Sequence, residues 1–470
     1  MMTIVATLLS GLLWLGGSGL HPVAALTWLA PIPLILASLR VRPRTALGAA
    51  ILAWLIGQLG VLGYYLGTLR LPVPVIAGVV LLGLALAGGT VLLARALLLR
   101  GRTVTAVLTV PSLWVLGEYA ASRLFPHGAW WSLAYTQADV RPVIQLTALT
   151  GVWGVTYLLL AVPIAVAALL RSMRPVLTTR LESSRSALIC LLALLLGVGG
   201  WSAWSLSRSP DAAEPLAVGL VALQQPEDGL PIDEPPGRDL LTRYVARVAG
   251  LVARGARIVV LPEKVFAVTD TTLPVLVDAL QQTEAQVVVG AVLRRDGTAR
   301  NVALVLKPGG SVTTYEKQHV VPGLEDWLTP GDDDVIVDGR FGVAICKDLD
   351  YPGLVRRYRA KGTAVLLVPA LDFTSDGWLH SRMALVRSVE NGLTVVRAAA
   401  LGRLTVTDPA GRMLGETTAG DAELLVSAAP TAGWRTVYSR TGDWFPFLSL
   451  ILLVVSVVAT RRPVTVRRRP

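Results

Sequence analysis

The sequence is poor in charged residues and in cysteine. Only 16% of its 470 residues are Asp, Glu, Lys or Arg, whereas a soluble domain has about 25%. Together with a mean hydropathy of +0.59, this shortage excludes a disordered chain, a coiled coil and an ordinary cytosolic enzyme. Two cysteines are too few for a disulfide framework. The net charge of +11 does not indicate nucleic-acid binding, because the basic residues lie at the ends of apolar runs, as in membrane proteins.

Long apolar runs are abundant instead. A membrane-spanning helix needs about 20 apolar residues, and the sequence predicts eight such helices. Their approximate bounds are 3–20, 23–39, 46–66, 72–98, 104–121, 151–170, 187–207 and 444–460. The first run has no basic region before it and no small-residue cleavage site after it. It is therefore interpreted as a span and not as a removed signal peptide.

Arginines in the short loops predict the orientation of the spans, because basic loops stay in the cytoplasm. They are concentrated in one set of loop ends and in the tail: Arg40, Arg42, Arg44, Arg95, Arg100, Arg102, Arg171, Arg174, Arg180, Arg185, Arg461, Arg462, Arg467, Arg468 and Arg469. The alternate loops contain little beyond Arg70, Arg123 and Arg141. We expect a multi-pass protein of the cell membrane, with both termini cytoplasmic and residues 208–435 outside the cytoplasm.

Residues 208–435 have the pattern of a layered α/β domain, in which strands alternate with helices. Short β-branched runs predict the strands. These runs are Leu216–Leu223, Ala256–Leu261, Ala285–Val292, Val335–Cys346 and Ala364–Val368. Val302–Leu306 and Val312–Tyr315 flank Lys307-Pro308-Gly309-Gly310, which predicts a hairpin. The predicted organisation is a transmembrane domain of about seven helices (1–207), this domain (208–435), and a last helix with a basic tail (436–470).

Two polar residues of this domain follow apolar strands, where α/β folds place reactive groups. Cys346 follows Phe341–Ile345, and it is either a nucleophile or a small buried side chain. Glu263 follows Val259–Pro262. It is a general base if burial raises its pKa, and a surface carboxylate otherwise.

Lysine is rare, with five residues against 38 arginines. A retained lysine is therefore of interest, because an ammonium group and a guanidinium group are not interchangeable. The five are Lys264, Lys307, Lys317, Lys347 and Lys361. Lys317 is the candidate for catalysis, whereas Lys307 and Lys361 are interpreted as surface charges. His319 and His380 lack the spacing of a metal site, and no phosphate-binding glycine loop is present. Neither a metal nor a cofactor is expected.

Glu263, Lys317 and Cys346, in this order, resemble the Glu-Lys-Cys triad of the nitrilase (carbon–nitrogen hydrolase) superfamily. The membrane part narrows the resemblance to the apolipoprotein N-acyltransferase family. The residues that carry it are Trp28–Leu34, Trp114, Glu118, Arg123, Phe125, Gln137, Gln145, Gly151, Gly154, Trp378, His380, Met383, Arg387, Glu390, Gly392, Arg397, Gly402 and Asp408-Pro409. The resemblance covers nearly the whole chain.

The resemblance implies a four-layer αββα domain inserted before the last of eight spans, and acyl transfer in two steps. Cys346 would take an acyl chain from a phospholipid as a thioester and pass it to the N-terminal amine of a diacylglyceryl-cysteine lipoprotein. Glu263 would be the general base, Lys317 would stabilise the oxyanion and Glu325 would support the triad. Other residues expected to bind substrate or support the site are Lys347, Asp348, Trp378, His380 and Glu118. Of these, Glu118 is expected to line a lipid entrance. The protein is expected to act as a monomer.

Several residues depart from the family pattern. Lys347 and Asp348 stand where an aromatic residue and a Glu usually follow the Cys, Lys264 replaces a small hydroxyl residue, and Pro369–Phe373 replaces Asn-Asp-Ala-Trp-Phe. Lys264 and Lys347 would lower the pKa of Cys346 if they lay close to it. Two alternatives therefore stay open: a membrane-tethered amidase or nitrilase-type hydrolase, and a catalytically silent scaffold that binds lipid or partner proteins.

Overall fold

Helices form the part of the chain before residue 208. The computed structural model describes residues 1–172, 179–208, 215–418 and 420–461. The helices of the first part are α1 (Met2–Gly17), α2 (Ala24–Leu29), α3 (Pro31–Ser38), α4 (Pro43–Gly63), α5 (Val73–Leu99), α6 (Thr103–Leu124), α7 (Arg141–Ile144), α8 (Thr147–Thr150), α9 (Val152–Ser172) and α10 (Thr179–Ser207). A π-helical turn, Tyr64–Thr68, continues α4, and a 3-10 turn, Leu133–Gln137, precedes α7.

Five helical segments of the described residues are long and apolar enough to cross a membrane. They are Pro43–Thr68, Val73–Leu99, Thr103–Leu124, Val152–Arg171 and Arg185–Ser207. Shorter apolar helices at Met2–Gly17, Ala24–Ser38 and Trp444–Val458 coincide with the other three expected spans. The protein therefore has a helical membrane domain, while the number of helices that cross the membrane stays a prediction. The expected basic tail at 462–470 and Arg174 lie outside the described residues.

The helix α9 lies at the centre of the membrane domain, and α10 lies at its periphery. Of the apolar stretch of α9, 83% is buried, whereas only 11% of that of α10 is buried. The small side chains of Ala161, Ala165 and Ala168 are fully or almost fully buried on one face of α9. Small residues on one face let neighbouring helices approach closely in a membrane, which explains the central position of α9.

Two β-sheets follow from residue 215. Their strands are β1 (Leu216–Ala222), β2 (Leu230–Pro231), β3 (Ile258–Val260), β4 (Phe266–Thr269), β5 (Gln286–Arg295), β6 (Thr298–Leu306), β7 (Val312–Glu316), β8 (Val335–Val337), β9 (Phe341–Val343), β10 (Val365–Ala370), β11 (Thr394–Ala399), β12 (Arg403–Thr407), β13 (Met413–Thr418) and β14 (Ala422–Ala429). The first sheet has the order β14-β1-β3-β5-β4-β2, with β6 paired to β5 and β7 to β6. The second has the order β13-β12-β11-β10-β9-β8.

The two sheets face each other across an apolar core, and helices cover their outer faces. The covering helices are α11 (Pro235–Ala253), α12 (Leu273–Leu280), α13 (Pro352–Ala360) and α14 (Gly377–Asn391). Two further helices near the carboxyl end are α15 (Val437–Thr441) and α16 (Trp444–Arg461). Side chains alternate along a strand, so β1 places Leu220 between the sheets and Val221 in the cluster that contains α11. With α13 and α14 on the second sheet, the layers are αββα. The layered α/β prediction is confirmed.

The predicted hairpin is confirmed, but one predicted strand is divided. The strands β6 and β7 pair antiparallel, with Leu306 opposite Val312. The run Val335–Cys346 is two antiparallel strands, β8 and β9, and not one. They are joined through Asp338 and Gly339, whose φ angles of 52° and 68° are left-handed. Asp and Gly tolerate this conformation in turns, so the chain reverses within the apolar run.

The helix α14 connects the α/β domain with the membrane domain. Its side chains Leu379, Met383 and Val386 belong to the same buried cluster as the membrane helices, whereas Ala384 packs under the second sheet. Arg387 forms a buried ion pair within α14. The position of α14 therefore ties the second sheet to the membrane helices.

Candidate active site

Three polar side chains come together at strand ends of the two sheets. Glu263 follows β3, Lys317 follows β7, and Cys346 begins a 3-10 turn after β9. Backbone hydrogen bonds fix two of them: the N–H of Glu263 donates to the carbonyl of Ala370 at 3.1 Å, and that of Lys317 donates to the carbonyl of Asn301 at 2.8 Å. All three side chains line one cavity. The structure therefore brings together the triad residues expected from the sequence.

The ammonium group of Lys317 lies between two carboxylates. Its Nζ is 2.7 Å from Glu263 Oε1 and 2.8 Å from Glu325 Oε2. Asn301 Nδ2 donates to the same pair, at 2.6 Å to Glu263 Oε1 and 3.3 Å to Glu325 Oε1. Burial alone would lower the pKa of Lys317, but the two carboxylates outweigh it and raise that pKa well above its ordinary value. Lys317 is therefore a fixed cation.

One oxygen of Glu263 is available for proton transfer. Oε1 accepts hydrogen bonds from Lys317 and Asn301, whereas Oε2 is buried and accepts none from any described group. A buried carboxylate oxygen without a partner costs free energy, and such an atom is a ready proton acceptor.

Cys346 has an unusual backbone conformation that its neighbours maintain. Its φ of 42° is left-handed, which costs a residue with a Cβ about 1–2 kcal/mol. Asp348 holds the turn: Oδ2 accepts from the N–H of Ile345 at 3.0 Å and from the hydroxyl of Tyr315 at 2.7 Å, and Oδ1 accepts from the N–H of His319 at 3.0 Å. Asp348 is therefore a structural support of the turn that carries Cys346.

The thiol of Cys346 is protonated in the resting protein. Burial and the carboxylate of Glu263 raise its pKa well above the ordinary value, and the opposing effect of Lys317 is smaller. A thiol of this kind needs a base before it can act as a nucleophile.

The two neighbouring lysines, which would lower this pKa if they lay close to the thiol, each form an ion pair with a carboxylate. Lys264 Nζ lies 3.4 Å from Glu325 Oε1, and Lys347 Nζ lies 3.5 Å from Asp350 Oδ2. Their charges are therefore engaged by these carboxylates. Lys347 Nζ also lies 3.3 Å from His127 Nδ1. Burial and then the charge of Lys347 lower the pKa of His127 to about 4, so His127 is neutral near pH 7.

A buried ion pair lies beside the sulfur. Asp372 Oδ1 is 3.9 Å from Cys346 Sγ, and the guanidinium of Arg397 binds both oxygens of Asp372. His380 Nδ1 lies 3.7 Å from Asp372 Oδ1 and 3.3 Å from Asp376 Oδ1. Burial alone would lower the pKa of His380, but Asp376 and then Asp372 raise it to about 9. His380 is therefore a cation among these carboxylates.

By distance alone, Asp372, Asp376 and His380 could hold a metal ion, since their ligand atoms lie within 4.8 Å of one another. Arg397 already occupies both oxygens of Asp372, and a protonated imidazole does not coordinate a metal. These residues fit an ion-pair network better than a metal centre. The expected absence of a metal stays a prediction.

The cavity lies between the two domains and has a volume of about 300 Å³. The triad, Glu325 and Lys347 line one side of it. Apolar and aromatic side chains of the membrane domain line the other side, among them Tyr64, Tyr65, Leu71, Val75, Trp130 and Trp131. The cavity thus has a polar wall with the reactive groups and an apolar wall suited to hydrocarbon.

A membrane-domain loop packs directly on the turn that carries Cys346. The N–H of Ala129 donates to the carbonyl of Asp350 at 2.8 Å. Gly128 has a φ of 54°, and a Cβ there would lie only 2.3 Å from that carbonyl oxygen. Glycine is therefore required for this close approach, which brings His127 to Lys347.

Besides Asp348, which supports the turn of Cys346, two residues expected at the site lie outside this cavity. Trp378 packs beside His21, with ring centroids 6.0 Å apart, and under the guanidinium of Arg382. Glu118 lines a neighbouring cavity of about 120 Å³, which shares Tyr65 and the two tryptophans Trp130 and Trp131 with the first. The carboxylate of Glu118 accepts hydrogen bonds at 2.9–3.0 Å from Trp114, Ser132, Leu133 and Thr156. It therefore connects elements of the membrane domain.

Comparisons with known proteins cover both domains. The family model for the apolipoprotein N-acyltransferase N-terminal domain matches residues 10–165, and that for carbon–nitrogen hydrolase matches residues 218–438. The apolipoprotein N-acyltransferase of Geobacter metallireducens is 25% identical over 503 aligned positions, which span 94% of this chain and 92% of that protein. The enzyme of the same name from Gloeobacter violaceus is 29% identical, over 76% of this chain and 71% of that protein.

The chain belongs to the apolipoprotein N-acyltransferase family. Among solved structures, an amidase from Nesterenkonia sp. is 19% identical and matches at a TM-score of 0.40, over 52% of this chain and 99% of that protein. The carbon–nitrogen hydrolase match and the αββα layers identify the second domain as nitrilase-like.

Sequence reasoning assigned no role to four residues of the cavity region. Asn301 bridges Glu263 and Glu325, but an Asn in a strand carries no signal of its own. Arg397 lies within the apolar strand β11, and a charged residue in such a run does indicate a buried partner. Tyr64 and His127 come from the membrane domain. Only the packing of the two domains brings them to the cavity.

Proposed function

We propose that this protein is a membrane-embedded apolipoprotein N-acyltransferase. It transfers an acyl chain from a phospholipid to the N-terminal amine of a diacylglyceryl-cysteine lipoprotein. The observation that carries the proposal is the cavity of about 300 Å³. In it, the thiol of Cys346, the carboxylate of Glu263 and the ammonium of Lys317 face apolar side chains of membrane helices. A lipid ester can therefore meet the thiol without leaving the apolar surface.

In the first step, the phospholipid acylates the thiol. Glu263 Oε2 takes the proton of the Cys346 thiol as the sulfur attacks the ester carbonyl carbon. The ammonium of Lys317 stabilises the negative charge that develops on the carbonyl oxygen. The carbon–oxygen bond to glycerol then breaks, and Glu263 returns the proton to that oxygen. The products are a thioester and a lysophospholipid.

In the second step, the lipoprotein amine takes the acyl chain. The neutral amine attacks the thioester carbonyl carbon, and Glu263 accepts a proton from the nitrogen. Lys317 again stabilises the oxyanion. The carbon–sulfur bond breaks, and Glu263 passes the proton to the sulfur of Cys346. This restores the thiol, so Cys346 is regenerated without a cofactor.

The remaining site residues support these steps. Glu325 and Asn301 hold Lys317 and Glu263 in place, and Asp348 holds the turn of Cys346. Lys347 and His380 line the cavity and contact substrate groups there, each with a carboxylate beside it. We further propose that Glu118 and Trp378 act on the lipid from the membrane side. Glu118 lines the cavity that adjoins the site, and Trp378 belongs to the packed interface of α14 with the membrane helices.

We propose eight spans, with both termini in the cytoplasm and the nitrilase-like domain outside it. Contacts among the basic loop ends support this orientation. Arg95 donates to the carbonyls of Ser38 at 2.9 Å and Val41 at 2.6 Å, and Arg171 donates to the carbonyl of Leu98 at 2.5 Å. The arginine-rich loop ends thus lie at the same side of the bundle, opposite the loop that contacts Asp350. We propose that the chain is divided into a transmembrane domain (1–207), the nitrilase-like domain (208–435) and a last transmembrane helix with a basic tail (436–470). We also propose a monomer as the active unit.

Mass spectrometry of the Cys346 peptide tests this function. The detergent-purified chain is incubated with a phospholipid of defined acyl chains, and the expected result is an acyl mass on that peptide that hydroxylamine removes. A diacylglyceryl-cysteine peptide should then discharge the thioester and gain the acyl chain on its amine. Cys346→Ala should abolish the adduct, and Glu263→Gln should nearly do so.

Cys190→Ala is the matched control, because it removes the other cysteine, in α10, and should leave the adduct unchanged. A thioester that is discharged by water and not by the peptide would indicate the hydrolase alternative. A folded wild-type protein that forms no adduct would contradict the proposed function and favour the scaffold.

A further inference from the structure

A third pocket lies where the end of α10 meets α8 and α15, beside the nitrilase-like domain. Its volume is about 180 Å³, and its lining includes Trp201, Trp204, Arg208, Arg435 and Arg440. It shares no lining residue with the cavity that contains Cys346. The proposed acyl transfer therefore does not account for it.

Two arginines of this pocket, Arg435 and Arg440, have no carboxylate partner among the described residues. In the described part of the chain, no Asp or Glu lines the pocket, and neither Arg435 nor Arg440 forms an ion pair with a described residue. Arg435 uses one amino group to donate to the carbonyl of Ala360 at 2.8 Å. The buried Arg359 has an Nε without a described partner, and burial and then the charge of Arg435 lower its pKa. An anion in the pocket would relieve this repulsion.

The aromatic residues place the pocket at the surface of the membrane. Trp201 and Trp204 lie in the last turns of α10, and tryptophan prefers the membrane–water interface. The guanidinium of Arg208 lies 5.1 Å from the ring centroid of Trp204 and 4.7 Å from that of Trp434. These cation–π contacts hold the guanidinium at the same depth in the membrane as the tryptophan rings. Below the pocket, α10 exposes Leu192, Leu195 and Leu196.

We infer that this pocket binds the phosphate headgroup of an anionic membrane phospholipid, in the leaflet that faces the nitrilase-like domain. Arg435 and Arg440 bind the phosphate, Trp204 packs against the glycerol region, and the acyl chains lie along the exposed leucines of α10. A guanidinium group matches phosphate oxygens with paired donors. The site holds a lipid beside the enzyme and takes no part in the reaction at Cys346.

Native mass spectrometry of the full-length chain tests this inference. The protein is released from mixed micelles that contain phosphatidylglycerol and phosphatidylcholine in equal amounts, and the fraction that retains each lipid is measured. We expect selective retention of phosphatidylglycerol. The double variant Arg435→Ala with Arg440→Ala should reduce that retention by about fivefold for each arginine removed, with little change for phosphatidylcholine.

Arg257→Ala with Arg294→Ala is the matched control, since both are exposed arginines of the same domain, remote in sequence from the pocket. Because Arg435 also bonds to the backbone, Arg440→Glu alone is a second variant that removes no described hydrogen bond. The inference is overturned if Arg440→Glu leaves retention unchanged, or if the control pair lowers it equally. It is also overturned if inorganic phosphate at millimolar concentration displaces the lipid completely, since the site would then bind free phosphate. None of these readouts depends on acyl transfer, so this inference and the proposed function can fail separately.

Discussion

The hydroxyl group of Tyr64 lies 2.5 Å from Oδ2 of Asp376. This hydrogen bond connects the end of a membrane helix to the polar network beside Cys346, because Asp376 also contacts His380. Burial alone would raise the pKa of Asp376, but His380 and then Tyr64 outweigh it and lower that pKa. The apolar wall and the polar wall of the cavity are therefore held together by a charge-assisted bond.

Tyr64→Phe should weaken this connection. A hydrogen bond to a charged group contributes about 1.5–3 kcal/mol, so we expect a lower melting temperature in detergent and a KM for phospholipid several-fold above that of the wild type. Tyr65→Phe is the control, because Tyr65 lines the same cavity and its hydroxyl has no described hydrogen bond. Equal behaviour of the two variants in both assays would contradict the proposed role of the bond.

Glu325→Gln should make stability depend less on pH. Burial alone would raise the pKa of Glu325, but Lys317 and Lys264 lower it to about 2, below an ordinary value of about 4.3. The ionised group therefore stabilises the fold above about pH 4, and this contribution is lost as the pH falls towards 2. The variant should be less stable than the wild type at pH 7, by on the order of 3 kcal/mol.

Unfolding at pH 7, 5 and 3 measures this effect. The difference between the wild type and Glu325→Gln should shrink at pH 3. Asp326→Asn, a neutralisation at the neighbouring exposed position, should show no comparable trend. A difference that stayed constant over this range would show that the charge of Glu325 is not the cause.

Glu118→Gln and Glu118→Leu should separate function from folding. The Gln side chain keeps one acceptor oxygen for the donors around it, and the hydroxyls of Ser132 and Thr156 can rotate to accept from its amide. We expect a folded protein with impaired use of phospholipid. In Glu118→Leu, the donors lose their acceptor at about 1–3 kcal/mol for each group, so its melting temperature should fall sharply. Unchanged turnover in Glu118→Gln would contradict the proposal that this residue acts on the lipid.

Asp348→Asn should slow acylation of Cys346 without removing any group that touches the substrate. The carboxylate accepts from Ile345, Tyr315 and His319, and an amide can satisfy these donors with only one oxygen. We expect the single-turnover rate of thioester formation to fall at least about tenfold, with a smaller effect on phospholipid binding. Asp338→Asn makes the same chemical change in an exposed turn and should have little effect. Loss of binding without loss of rate would refute a positioning role.

Much of the architecture follows from the sequence because it depends on local patterns. Apolar length predicts membrane helices, and β-branched runs alternating with helical spacing predict the α/β layers. Glu263 and Cys346 could be predicted as site residues because they follow apolar strands. Lys317 could be predicted because lysine is rare in this chain, and the family resemblance joins the three residues into a triad. The division of Val335–Cys346 into β8 and β9 was missed, because two left-handed residues can reverse a strand without changing its hydrophobicity.

Only the tertiary structure decided how these residues act on one another. The high pKa of the Cys346 thiol arises from burial and from Glu263, which is 83 positions away along the chain. The charge of Lys264 is taken up by Glu325, a partner that no sequence spacing indicates. The cavity itself exists because α14 packs on the membrane helices. Electrostatic energy and burial depend on distance in space, so the sequence determined which groups are present, and the packing of the two domains determined their chemistry.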